Sequence, residues 1–393
     1  MLLAHKIELR PTAAQIEYLN KACGARRHCY NQLLAHFSKP ENKWSKKSAV
    51  EYYMTVIRKE FPWYDEVSQR VTRNAIDDLD TAYSNFFRKT KRSGYPKFKK
   101  RDVNDGFALR ETEKFSVEGR SLRIEKLKTW IDMRECLRFS GKTKQVTITK
   151  KAGKFYASIL VETEDYNPKD VDRQPSVGVD FGVKDLAILS TGFIFKALNA
   201  LKKNLKKLKK LQRSLSKKQK GSKNRAKAKL KIQKLHARIT RQRHALLHEI
   251  SDYLTANFDV ITIEDLNVSG MMKNHKLARA IGDCGFGYLR QYIEYKAALR
   301  NCTVVVADRF FASSKTCSGC GNKKKYLPLS ERTYKCDCCG LVMDRDLNAA
   351  INLDKYGRDT LKPDLKRIQE LSETCSLSIG VDGMNNVSNI NFC

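Results

Sequence analysis

Four cysteines and three acids carry the chemistry open to this 393-residue chain. Cys317 and Cys320 form one C-x-x-C pair and Cys336 and Cys339 a second, with fifteen residues between the pairs. Two residues between cysteines let both thiolates face one ion, and Gly319, Gly321 and Gly340 relax the backbone around them. The two pairs together predict a tetrahedral, structural Zn²⁺ site. A redox dithiol is the competing reading of a single C-x-x-C, but it does not account for two pairs at this spacing. Cys338 lies inside the second knuckle and is not counted as a ligand. A closed shell of four thiolates leaves no position for water or substrate, so any hydrolysis must come from elsewhere.

The acids are Asp180, where the apolar run of Val177 and Val179 ends ahead of Gly182, Glu264, at the end of FDVITIEDL, and Asp346, in the turn Asp344-Arg345-Asp346. Each has an ordinary reading when taken alone. Aspartate near glycine is a common turn residue, and Glu-Asp after a strand caps a following helix. As a set at the edges of apolar elements, with no histidine among them, they suit Mg²⁺, which prefers oxygen ligands and keeps some of its waters. Two such ions about 4 Å apart can activate a water and stabilise the leaving oxygen of a phosphodiester.

Lys and Arg number 76 against 43 Asp and Glu, a net charge of +33. That excess exceeds what solubility asks for and predicts a polyanionic partner, nucleic acid before membrane. No apolar run approaches the roughly 20 residues that span a bilayer, and MLLAHKIELR carries charge where a signal peptide needs its apolar core. We therefore expect an intracellular protein, cytoplasmic and associated with the nucleoid. The remaining cysteines of the twelve have no disulfide-like rhythm.

Around these residues the chain predicts a series of elements. A strand over 4–10 leads to a helix opened by a Thr12/Gln15 capping box, with Ile16, Leu19 and Cys23 at helical spacing. A further helix runs from Val71 to Phe87 with Ile76, Leu79, Tyr83 and Phe87 on one face. FFRKTKRSGYPKFKKR, residues 86–101, holds eight basic residues in sixteen with aromatics between them. Lys97, Lys99, Lys100 and Arg101 are placed to meet phosphates there. Alternation over 144–162, with Val146, Ile148, Phe155, Ala157, Ile159 and Val161 on one side, predicts a hairpin, with more strand upstream over 107–139. A polar linker (166–175) precedes two strands around Asp180. Lys202 to Arg243 then contains nineteen Lys or Arg and no acid. Leucines at helical spacing make it a hairpin of two basic amphipathic helices, with Lys206, Lys210 and Arg213 on a phosphate-facing wall. A buried strand to Glu264, a helix over 278–300 and a strand over 303–307 complete the series.

The blocks RPTAAQ, YPKFKKR, GVDFGVKDLA, TIEDLNVSGMMKNHKLARA, SSKTCSGCG and DRDLNAAINL resemble TnpB, the family of transposon-encoded RNA-guided endonucleases of IS200/IS605- and IS607-type elements, related to the Cas12 nucleases. The resemblance covers about residues 1–355. It implies a mixed, multidomain α/β and β fold. A β-barrel-like (WED) module, 1–10 and 94–165, would hold an inserted helical (REC) bundle, 11–93. A RuvC-like RNase H-fold nuclease would follow over 176–316 and 341–355, with basic helices inserted at about 200–248 and a zinc ribbon over 317–340. Beyond the resemblance, the polar composition of the tail, 356–393, predicts partial disorder. The resemblance carries functional residues too. It also implies that Asp180, Glu264 and Asp346 are catalytic and hold Mg²⁺; Asp346 is preferred to Asp344 because relatives with one acid in this turn keep the one two residues before Asn-Ala-Ala. Ser68, Gln69, Arg73 and Asn74 would contact bases. Implied partners are a noncoding guide RNA and double-stranded target DNA beside a short transposon-adjacent motif, with one protein chain per RNA and no membrane. Two other readings stay open: a compact Cas12f-like CRISPR effector, and a non-catalytic zinc-ribbon regulator of transposition in which the acids are structural. Phe311-Ala312-Ser313-Ser314 departs from the family pattern, which commonly has proline before the serine pair.

Overall fold

A computed structural model describes residues 1–88, 93–163, 172–328 and 330–377, with side chains described as far as 361. The chain divides into two compact units, Met1–Tyr166 with Lys207–Arg238, and Asn167–Lys206 with Ile239–Cys393.

The first unit is built from β1 (Leu2–Arg10), α1 (Ala13–Phe37), α2 (Lys46–Tyr52), α3 (Arg58–Glu60), α4 (Gln69–Phe87), β2 (Gly106–Leu109), β3 (Phe115–Glu118), β4 (Ser121–Ile124), β5 (Ile131–Met133), β6 (Lys142–Lys151) and β7 (Lys154–Glu162). The strands form one antiparallel sheet in the order β2-β6-β7-β1-β5-β4-β3. End strand β3 lies back near β6, so the sheet nearly closes on itself. Alternation sends Val146, Ile148, Phe155, Ala157, Ile159 and Val161 to one buried face. The β6–β7 turn places Ala152 at φ 53° and Gly153 at φ 79°, the left-handed pair that a two-residue hairpin requires.

Helices α1–α4 are inserted in sequence between β1 and β2. The expected capping box is present, with Thr12 Oγ1 accepting from Gln15 N and Gln15 Oε1 accepting from Thr12 N. Gln15 also donates to Thr129 Oγ1 and the Trp130 carbonyl, and Tyr18 Oη donates to the Glu125 carbonyl, fastening α1 to the sheet. Leu19 and Cys23 are buried as expected; Ile16 is exposed. Ile76, Leu79 and Tyr83 are the core face of α4, whereas Phe87, expected beside them, is exposed.

The second unit begins with β8 (Gln174–Asp180), β9 (Asp185–Leu189) and β10 (Ile194–Lys196). The expected linker thus ends earlier than 175: Gln174 already pairs with Phe258, and 166–171 lie outside the described residues. Basic helices α5 (Ala200–Ser216) and α6 (Lys223–Asn257) follow in the chain, their stretch from Lys207 to Arg238 belonging to the first unit. Arg225 Nη1 closes their turn by donating to the carbonyls of Leu215 and Lys218. Helix α6 does not stop near 248 but continues to Asn257, because Leu247, Ile250 and Leu254 are core residues. After β11 (Phe258–Glu264) come α7 (Val268–Met271), α8 (Ala278–Cys284) and α9 (Phe286–Arg300). The single helix expected over 278–300 is broken at Gly285, whose φ of 75° is left-handed. Strand β12 (Thr303–Ala307), the small antiparallel pair β13 (Thr333–Lys335) and β14 (Val342–Asp344), and α10 (Arg345–Leu377) complete the described chain. Helix α10 crosses residue 355 without a break, so 356–377 are helical; 378–393 lie outside the described residues.

The central sheet has the order β10-β9-β8-β11-β12. Strands β8, β11 and β12 run parallel, and β9 and β10 extend the sheet by antiparallel pairing. Helix α10 packs on β8 and β11 at two points where side chains are missing. A Cβ on Gly178 would stand 2.0 Å from the Ala350 carbonyl oxygen, and one on Gly357 would stand 1.9 Å from Thr262 Oγ1. No helix among the described residues is long and apolar enough to cross a membrane.

Gly178→Ala should therefore push α10 off β8 and cost about 1–3 kcal/mol. Gly287→Ala, where nothing lies within 4 Å of the added carbon, should be neutral or slightly stabilising. Urea denaturation of the two variants beside the parent checks this.

Candidate active site and zinc centre

Strand register brings the first two acids together. Val179 pairs with Ile263 in the parallel β8–β11 ladder, so Asp180 and Glu264 leave neighbouring strands side by side at their C-terminal ends. The third arrives on α10. Asp344 Oδ1 accepts from the backbone N–H groups of Asp346 and Leu347 and so caps the helix, freeing Asp346 to face the cleft. All three carboxylates line one cleft of about 1080 Å³. Lys184, Lys202, Lys276, Arg279 and Arg332 line it too.

The three acids are held differently. Glu264 Oε1 accepts from Ser313 Oγ at 2.9 Å. Asp346 is paired with Arg345 at 2.9 Å and with Arg332 at 3.1 Å. For Asp180, burial, followed by the neighbouring Glu264 and Asp346 charges, raises the carboxyl well above the usual range, with the Arg345 charge opposing. Burial also raises Glu264, with Ser313 opposing, and the hydrogen bond shared by the two acids favours the proton on Asp180. A crowded carboxylate set with suppressed ionisation is what a hard cation would relieve, and its all-oxygen donors fit Mg²⁺. It is not drawn tight, however. Among the described residues, only the four cysteines form a group whose donor atoms all lie within 4.8 Å of one another.

Those cysteines are Cys317, Cys320, Cys336 and Cys339. Cys317 and Cys339 sulfurs are 3.6 Å apart, as are those of Cys320 and Cys336. A tetrahedral shell with zinc–sulfur bonds of about 2.3 Å places its sulfurs about 3.8 Å apart, so the set fits that ion. Backbone N–H groups of Cys339 and Cys338 pull the Cys336 thiol down to about 6, readying it as a thiolate. Cys338 is exposed and outside the group, as expected.

Sequence reasoning overlooked the residues that brace this end of the fold. Asn348 donates to the Thr316 carbonyl and accepts from Ser318 N, and Asn352 donates to the carbonyls of Ser313 and Thr316. Both are buried on α10, tying it to the segment entering the cysteine cluster. Two asparagines four apart inside a helix were the available signal, since such residues are poor helix formers unless their amides are used. Arg332, Arg345 and Ser313 gave no comparable signal. Asp265, beside Glu264, is paired with Arg309 and Arg290, which hold its carboxyl below the usual range.

The expected nucleic-acid contacts divide. Gln69, Arg73, Lys97, Lys100 and Arg101 are surface residues. Lys206, Lys210 and Arg213 are exposed at spacings of four and three along α5. Two others are corrected, and a third is partly engaged. Ser68 is fully buried, caps α4 and donates to Glu125; Asn74 is buried and donates to the Ala108 carbonyl. Lys99 Nζ sits 3.9 Å over the Tyr30 ring and 3.5 Å from Asp78, and burial lowers its pKa. Ser68 and Asn74, buried on the protein's own partners, are withdrawn from a ligand. Of the basic stretch 86–101, residues 89–92 lie outside the described residues.

Known proteins match this chain in sequence. A family profile described as a probable transposase matches residues 158–275, a Cas12f1-like TNB domain matches 286–353, and a helix-turn-helix domain matches 1–39. The last region here is a strand followed by one uninterrupted helix. A Streptomyces pristinaespiralis protein named "Putative RNA-guided DNA endonuclease" is 35% identical over 89% of this chain and 88% of its own. The Escherichia coli K12 protein named "Putative RNA-guided DNA endonuclease InsQ" is 33% identical over 92% of this chain and 93% of its own. A solved Cas12f1–sgRNA–target DNA complex aligns over 90% of this chain and 99% of its own, at 17% identity and a TM-score of 0.35, too distant to add weight. Relatives that match over most of their length are thus named as a class of DNA endonuclease. The chain belongs to the TnpB family of RNA-guided DNA endonucleases.

An ionised acid cluster without a cation should weaken the fold. Between the ordinary aspartate pKa of about 3.9 and the raised folded value of Asp180, the folded chain binds the extra proton, so stability falls as pH rises through that window. In chelator at pH 7, Asp180→Asn should melt higher than the parent, and the gap should close as pH falls toward 4. Thermal melts across that range check it, with equal melting at pH 7 as the opposing result.

Proposed function

We propose that the chain is an RNA-guided, Mg²⁺-dependent endonuclease that cuts double-stranded DNA beside a short transposon-adjacent motif, with a noncoding RNA from the element's end as guide, and so supports maintenance of the transposon. The convergence of Asp180, Glu264 and Asp346 on one cleft, from positions far apart in the chain, carries this reading. Two of the three leave the C-terminal ends of adjacent parallel strands, where ligand sites in such sheets lie.

In this reading the RuvC-like nuclease spans 176–316 and 341–355, and its three carboxylates hold a pair of Mg²⁺ ions. When bound, such ions supply an activated water and a charge sink for the departing 3′ oxygen, leaving 5′-phosphate and 3′-hydroxyl ends. Ser313 orients Glu264, while Arg345 and Arg332 keep Asp346 ionised and in place. Lys184, Lys202, Lys276 and Arg279 hold the phosphates of the strand in the cleft. The four cysteines hold Zn²⁺ and fix the root of α10, hence Asp346. The near-closed sheet and its inserted helices act as the module that binds RNA and reads the adjacent motif, with Gln69 and Arg73 as base contacts. Base pairing supplies most of the sequence specificity. One protein chain acts per RNA.

The test is expression with the native downstream flank, sequencing of the co-purifying RNA, and challenge of the complex with a randomised-flank plasmid library in Mg²⁺. One RNA from the element's end should be bound and matched targets cut beside a fixed motif. Alanine at Asp180, Glu264 or Asp346 should abolish cutting with RNA retained. Heterogeneous RNA and no cutting would leave a zinc-ribbon binding protein, and a repeat-derived guide would make it a CRISPR effector.

A further inference from the structure

Phe310 is 88% exposed, more than any other large apolar side chain among the described residues. Exposure alone means little, because single apolar residues are common on protein surfaces. The backbone that carries this ring, by contrast, is tethered. Its neighbour Arg309 is paired with Asp265, which Arg290 also holds at 2.8 Å. Phe310 N donates to Asp308 Oδ1 at 2.8 Å, and the Phe311 ring packs 4.7 Å from that of Tyr356. Three residues on, Ser313 Oγ reaches Glu264 at 2.9 Å. The loop is thus pinned on both sides of Phe310, through Arg309 to Asp265 and through Ser313 to Glu264, so the backbone that carries the ring is tethered at the end of β11.

A flat apolar face held on a rigid loop, beside a cleft lined with lysine and arginine, matches one chemistry: a nucleobase whose phosphates the basic residues attract. Stacking on a ring needs no base-specific hydrogen bond, as suits a site that must accept any sequence. The tethered backbone leaves only the ring's own rotation to be ordered on stacking.

We propose that Phe310 is a base-stacking residue: its ring holds one unpaired nucleobase of the strand in the acid cleft and thereby sets which phosphodiester comes to Glu264. The assignment rests on the nuclease reading above and adds to it a positioning residue for the strand being cut.

The experiment uses the full chain with its co-purified RNA and a DNA duplex matched to the guide portion. The duplex carries 2-aminopurine at one position at a time across the cut, with Ca²⁺ replacing Mg²⁺ to hold the strand intact. In the parent, fluorescence should be quenched at one position next to the scissile bond. Phe310→Leu, with an exposed side chain and an unchanged melting temperature, should lose that quench. In Mg²⁺ it should spread the cuts over several bonds and lower kcat/KM roughly five- to a hundredfold, the scale of one base–aromatic stack. Phe310→Trp should restore both quench and cut position. If the parent cuts and Phe310→Leu matches it in quench profile and cut position, the stacking role is wrong and the nuclease reading stands. If the parent complex cuts no DNA, both fall together.

Discussion

A helix can lie directly on a sheet only where no side chain stands between them, and on β8 and β11 that condition is met at Gly178 and Gly357. From this contact the rest of the second unit's geometry follows. With α10 resting on the two central strands, its first turn comes to the C-terminal ends of those strands, where Asp180 and Glu264 are already neighbours by register. A helix lifted by even one methyl group would carry Asp346 out of reach. The small residue therefore matters as much to the site as the acids do, although it touches no reacting group.

Gathering three carboxylates costs electrostatic energy, and the fold offsets it unevenly. Asp346 has two guanidinium partners, Glu264 has a hydroxyl donor, and for Asp180 burial and two acidic neighbours outweigh the Arg345 charge. The perturbation consequently collects on Asp180. Such asymmetry keeps the outer members anchored while leaving uncompensated charge at the centre, where a divalent cation would be drawn.

The cysteine cluster acts at the other end of the same lever. Strand β14 runs straight into α10, and Arg345 N donates to the Arg332 carbonyl across the β13–β14 pair. Asn348 and Asn352 then stitch the helix to the segment entering the cluster. A small ribbon has too little apolar area to hold its shape unaided, and four thiolates closing on one ion would supply what its core lacks.

Much of this was legible in the residues themselves. Cysteine spacing named the metal centre, because C-x-x-C geometry is local. Period-two and period-3.6 patterns located the strands and helices, because a buried face leaves its repeat in the chain; the capping box at Thr12 was readable for the same reason. The acids could be nominated as strand-end residues, and family resemblance selected Asp346 over Asp344, which turned out to cap α10. What required the folded chain was everything set by contact between distant segments. Ser68, Asn74 and Lys99 have the composition of a nucleic-acid surface, yet Glu125, Ala108 and Tyr30 engage them. Arg332, Ser313 and the tethered Phe310 loop acquire meaning only from what lies across from them. Side-chain type and spacing report local conformation, whereas partner choice is decided by packing, which the one-dimensional pattern does not contain.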